Sequence, residues 1–124
     1  MDTNLNAVEI ARAYVNAMAA KDVEAVLSLA ADDVVCTSPM GKIAGIGPFR
    51  GFQEGFAKMI KKLSVLAVHG DEHQAVIVYN AETHPVPNSI VAELIKAKDG
   101  KLITTEVIYD ATPFLQYMKT VQAH

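Results

Sequence analysis

Asp99-Gly100 decides more about how this chain can fold than any other pair of residues in it. The pair stands between two runs rich in alternating apolar residues, Ser89 to Lys98 and Leu102 to Tyr109, and is flanked by Lys98 and Lys101. A two-residue loop of this type needs left-handed backbone at both positions and joins antiparallel strands. The residues upstream extend the pattern. Val65 to His69 reads as a strand and Gly70-Asp71-Glu72 as its turn. Gln74 to Thr83, rich in Val, Ile and Tyr, is the next strand, and His84-Pro85-Val86-Pro87-Asn88 is a prolyl connection. The tail from Thr112 to Val121 reads as a short helix.

The first half is helical. From Thr3 to Ala20, Leu5, Val8, Ala11, Val15 and Met18 fall on one stripe, widened by Ile10, Tyr14 and Ala17. A face that wide fits burial against a sheet. Asp22 caps a second short helix through Val23, Val26, Leu27 and Ala30. Val34 to Thr37 reads as a strand closed by Pro39-Met40-Gly41. Pro48 opens a third helix, in which Phe49, Phe52, Phe56, Met59, Ile60 and Leu63 repeat at spacings of three and four. That stripe is read as packing on the sheet rather than as a cofactor box. The glycines at 41, 45, 47 and 51 lack the Lys-Ser/Thr ending of a phosphate loop. Helices first and hairpin-linked strands afterwards define an α+β fold with an antiparallel sheet, not alternating βαβ units. Residues 1–124 are expected to form a single domain.

Composition narrows the function classes. Hydrophobic residues make up 51% of the chain, charged residues 20%, and the formal net charge is −3. Basic residues are scattered, the densest group being Lys58, Lys61 and Lys62, so neither nucleic acid nor an anionic membrane is an expected partner. The opening MDTNLNAVEI has no basic region followed by an apolar stretch, and the single cysteine, Cys36, cannot form an internal disulfide. A reducing cytoplasm is the expected location. His69 and His73 flank a Gly-Asp-Glu turn, and a solvated turn accounts for them without a metal. Neither a metal nor an organic cofactor is expected.

Three stretches carry a resemblance. "AYVNAMAAKDVEAVLSLAADDVV" (Ala13 to Val35) and "SPMGKIAG" (Ser38 to Gly45) resemble the opening of SnoaL-like proteins and ketosteroid isomerases. "AELIKAKDGKLITTEVIYDATPF" (Ala92 to Phe114) resembles the closing hairpin of SnoaL-like proteins. The likeness spans nearly the whole chain and points to the nuclear transport factor 2-like superfamily. It implies a cystatin-like cone, in which a strongly bent, mixed but mostly antiparallel sheet wraps the long N-terminal helix around an apolar cavity. It also implies a homodimer paired through the outer sheet face, and strands such as "QAVIVY" and "SIVAELI", apolar at both alternations, are compatible with cover on both sides.

Carried over residue by residue, the resemblance gives Tyr14 the place of the isomerase tyrosine that donates to a developing oxyanion. Glu93 takes the place of the isomerase oxyanion acid if the Asp99-Gly100 hairpin is one residue shorter here. Without that gap Ala92 takes it and Glu93 points outward, because a one-residue slip moves a side chain to the other face. The proton-abstracting aspartate is replaced by Ser38, which cannot act as a carboxylate base. Ketosteroid isomerisation by that route is therefore not expected, and Glu93 is the better base candidate. Ser38, Phe52, Phe56, Met59 and Tyr79 are the expected pocket-lining residues. Two functions stay open. One is a cofactor-independent isomerase, cyclase or dehydratase acting by proton transfer on a small apolar carbonyl compound. The other is a non-catalytic module that binds an apolar ligand or serves dimerisation.

Overall fold

The computed structural model describes residues 5–122. Thr3, where the sequence pattern begins its first helix, lies outside the described residues. Helix α1 (Ala7–Ala19) starts at Asn6, whose side chain accepts from the Glu9 amide while the Glu9 carboxylate accepts from the Asn6 amide, both at 3.0 Å. This reciprocal cap satisfies two amides that the first turn would leave without partners. Ala7, Ile10, Ala11, Tyr14, Val15 and Met18 form its buried face. Lys21 turns the chain in the left-handed region (φ 59°), and Asp22 caps α2 (Val23–Ser28) through the Ala25 amide.

Strand β1 (Ala30–Ser38), hairpin strand β2 (Gly41–Ala44) and helix α3 (Ile46–Met59) follow. The rest is β3 (Ile60–Gly70), β4 (Gln74–Thr83), β5 (Ser89–Lys98), β6 (Lys101–Ile108) and α4 (Thr112–Gln122). The six strands make one sheet in the order β2-β1-β6-β5-β4-β3. Only β1 and β6 run parallel; the other neighbours are antiparallel. Asp99 and Gly100 both have positive φ, 53° and 75°, as the two-residue hairpin requires. Register shifts interrupt β3 twice, and β5–β6 and β1–β6 once each. Such bulges bend a strand and increase its twist. The sheet is thereby able to curve around α1, which packs against β3, β4, β5 and β6. The core lies between α1 and the concave face.

Three elements depart from the sequence pattern. Helix α3 begins at Ile46, capped by Gly45 (φ 95°), so Pro48 sits inside the first turn, where its missing N–H removes no helical bond. The helix ends at Met59, not Leu63. Ile60 and Leu63 are core residues all the same, but on β3. A regular strand would send residues three apart to opposite faces, and the register shift between Ile60 and Lys62 brings both inward. The glycine-rich stretch supplies strand β2, paired with β1 from Val35↔Ala44 to Ser38↔Gly41.

Candidate functional site

Strand β5 alternates strictly, with Ser89, Val91, Glu93 and Ile95 inward. An acid therefore enters the core between two apolar neighbours, and Glu93 is 2% exposed. Ala92 lies on the opposite, convex face, so Glu93 and not Ala92 points inward. Three hydroxyls converge on the carboxyl group. Tyr14 on α1 donates to Oε1 at 2.8 Å and Thr105 on β6 donates to Oε1 at 2.7 Å. Tyr79 on β4 donates to Oε2 at 2.6 Å. Behind Tyr14, Gln53 of α3 donates through Nε2 to the phenol oxygen at 3.2 Å. Three elements thus hold the carboxyl group, each with a single side chain, and α3 supports it one step away through Tyr14.

Burial pushes the Glu93 carboxyl above its ordinary range, and the hydrogen bonds from Tyr79, Thr105 and Tyr14 pull against that shift. Burial, and then the Glu93 charge, hold the Tyr14 and Tyr79 phenols well above theirs. Cys36, buried on β1 and also near Glu93, is pushed up to about 12. It is a thiol rather than a nucleophilic thiolate at neutral pH.

Above this cluster lies a cavity of about 390 Å³. Phe52, Phe56 and Met59 of α3 form one side, with Gly51 and Gly55 between them. Tyr79, Ala81, Val91, Glu93 and Val107 of the sheet form the floor, and Met18 reaches it from α1. Tyr109 and α4, through Phe114, Tyr117 and Met118, complete the wall, with Tyr109 edge-on to Phe114 at 5.5 Å. The lining is almost wholly apolar. Among the described residues no lysine, arginine or histidine contributes to it.

Of the residues picked from the sequence, Phe52, Phe56, Met59, Tyr79 and Glu93 line this cavity. Tyr14 does not. It is fully buried beneath the floor and reaches the site only through Glu93. Ser38 does not line the cavity either: its hydroxyl is engaged in the β1–β2 turn, accepting from the Met40 amide at 3.1 Å. Met40 lines the wall instead. Thr105, Gln53 and the α4 residues were not foreseen. The first two had a signal, since each is a polar residue embedded in an apolar stripe. Among the described residues no group of three or more His, Cys, Asp or Glu side chains is arranged to hold a metal ion. No helix there is long and apolar enough to cross a membrane.

A bent mixed sheet wrapped on one helix, with a cavity at its open side, defines an α+β cone of the nuclear transport factor 2-like, cystatin-like type. The chain belongs to the SnoaL-like domain family, whose model matches residues 11–108. A protein from Kribbella flavida DSM 17836 of known crystal structure is 33% identical, with a TM-score of 0.89 over 96% of this chain and 98% of that one. An NTF2-like protein from Cytophaga hutchinsonii is 16% identical (TM-score 0.78, covering 93% of this chain and 99% of its own). An LEH-like epoxide hydrolase from M. tuberculosis is 14% identical (TM-score 0.71, covering 89% and 86%). The last two likenesses are of fold. No curated protein matches the chain.

Proposed function

We propose that the cone binds a small apolar carbonyl compound and that Glu93 moves a proton on it, without a cofactor. The observation that carries this reading is a single ionisable carboxyl group on the wall of an otherwise apolar cavity. Desolvation raises the proton affinity of Glu93 toward the range in which a general base works near neutral pH. In the proposed step Glu93 takes a proton from the carbon next to the carbonyl, and the C–H electron pair moves to make an enolate. Tyr79, whose hydroxyl loses its charged acceptor when Glu93 is neutralised, turns its proton to the enolate oxygen. Return of the proton to the same carbon gives exchange, and where the substrate carries a C=C bond conjugated with the enolate, return to the far carbon of that bond moves the double bond and completes an isomerisation. Tyr14 is a positioning residue here, because its hydroxyl meets the carboxyl and not the cavity.

The test is exchange in heavy water. The protein is incubated with a panel of cyclic ketones, and loss of the protons next to the carbonyl is followed by NMR. Wild-type protein is expected to exchange them, and Glu93→Gln to slow the exchange by about 10²-fold or more. Absence of exchange with every ketone, or equal exchange by Glu93→Gln, rejects the proposal.

A second reading, a non-catalytic binding module, is favoured by a different observation. The Glu93 carboxyl already has three donors without any ligand, and serine stands at position 38. Ketone binding without exchange is the outcome this reading expects.

We also infer that two copies pair through the convex face of the sheet, and that the protein works in the cytoplasm, where buried Cys36 stays reduced. Pairing is supported by Val76, Ile90 and Ile108, which are 39%, 58% and 54% exposed.

A further inference from the structure

We propose that the cavity takes a second class of ligand, apolar amines, whose ammonium group pairs with the free acceptor position on Glu93 Oε2. The proposal rests on the reading that Glu93 ionises inside the cavity. An ionised carboxylate offers about four acceptor positions, two on each oxygen. Oε1 uses both of its positions, on Tyr14 and Thr105. Oε2 uses one, on Tyr79. The remaining position is on the oxygen whose partner, Tyr79, itself lines the cavity. Because Glu93 and Tyr79 both line the cavity, the proposed ammonium approaches that position from the cavity side and leaves the three existing hydrogen bonds in place.

The charge count points the same way. The groups that face Glu93 from the elements packed on it are Tyr14, Tyr79, Thr105 and Cys36, and all are neutral near pH 7. Ion pairs among the described residues join Arg50 to Glu24 and Glu54, and none involves Glu93. The Glu93 charge therefore has hydrogen bonds but no counter-ion, and a buried charge without one is strongly disfavoured. A ligand that brings a positive charge supplies what the fold leaves out. Phe52, Phe56, Tyr79 and Tyr109 make the wall aromatic, and aromatic rings attract an ammonium rather than an anion to their faces. An anionic ligand would meet like charge at Glu93 and no cation anywhere on the wall.

Three probes of one shape test this by titration calorimetry on the full chain: 1-aminoadamantane, 1-adamantanol and 1-adamantanecarboxylate. At neutral pH the amine is expected to bind about tenfold or more tighter than the alcohol, and the carboxylate weaker than both. Glu93→Gln is expected to abolish the preference, so that amine and alcohol bind the variant with equal affinity. Equal affinities, an alcohol that binds tighter than the amine, or no binding by the amine overturns the proposal on wild-type protein alone, whether or not the variant folds. The result is separable from the ketone experiment. Amine preference without exchange keeps this inference and rejects the proton-transfer reading, and exchange without amine preference does the reverse.

Discussion

Glu93 is the residue on which the fold and the site disagree. Its carboxyl is raised above its ordinary 4.5 by burial, more than the three hydroxyls lower it. A folded-state value above the unfolded one means that the protonated form fits the fold better. The stability this gives is fully present below pH 4.5 and is lost as pH rises through the raised folded value. Asp71 and Asp110 behave oppositely. Backbone amides hold both below their ordinary range, so their stabilisation fades as pH falls. Comparing wild type with Glu93→Gln cancels those shared terms. The glutamine cannot ionise, so the melting temperature of the variant relative to wild type is expected to rise as pH increases above 4.5. Parallel melting curves over that range would mean that Glu93 is not destabilised by its surroundings. This residue was legible in the sequence through the resemblance of its hairpin to that of the isomerases, but the side it faces was not. The resemblance left Glu93 inward or outward, and only packing shows that it points inward. Tyr14 was legible as part of the helix stripe, yet its place under the floor rather than on it depends on how deeply α1 sits in the sheet. Gln53 and Thr105 carry their meaning only once Tyr14 and Glu93 are known to be within reach.

At the scale of elements, α3 combines a stability defect with an open space. Gly51 and Gly55 lie in the helix interior, where glycine is roughly 0.5–1 kcal/mol less favourable than alanine. A Cβ at either position meets nothing within 4 Å, and both glycines line the cavity. Gly51→Ala and Gly55→Ala are each expected to raise stability by roughly 0.5–1 kcal/mol, measured by urea denaturation. Gly55→Leu, with a side chain long enough to enter the cavity, is expected to keep the melting temperature at or above wild type. It should nevertheless weaken 1-adamantanol binding about tenfold, the scale on which a filled site excludes a ligand group. Unchanged affinity in Gly55→Leu would place the ligand elsewhere. Most elements were legible, because hairpin signals and helical stripes are local. The Asp99-Gly100 turn, the capped α2 and strands β4 to β6 follow from such signals. The end of α3 was hidden, since its apolar spacing continues into β3 and only a bulge reconciles that spacing with a strand. β2 was hidden because its residues gain strand geometry from pairing with β1 and show little pattern of their own. The α4 helix was visible, but its role as a cavity wall was not, because that depends on where β6 delivers it.

The whole molecule presents two faces of one sheet, and both are apolar. The concave face is covered by α1 and the cavity. On the convex face, register places Val76 opposite Leu94, Val78 opposite Ala92, and Ala92 opposite Ile108, with Ile90 one pleat away. Charge returns at the margins, with Lys96 and Glu106 both exposed. An apolar centre with a charged rim is the layout of a stable self-association surface. A stable dimer needs about 800 Å² per partner, which calls for a broad patch rather than one residue. In sedimentation analysis the wild-type chain is expected at twice the 13.4 kDa of one copy. Ile90→Glu places a charge on the patch, one pleat from the Ala92–Ile108 pair. In a two-fold interface each substitution is counted twice, so it is expected to shift the protein to single copies at micromolar concentration. Its melting temperature when dilute should stay close to that of dilute wild type, because Ile90 is more than half exposed within one copy. A wild-type chain that sediments as a single copy at high concentration would leave the convex face without a second copy to cover it. An Ile90→Glu dimer as tight as wild type would move the contact to another surface.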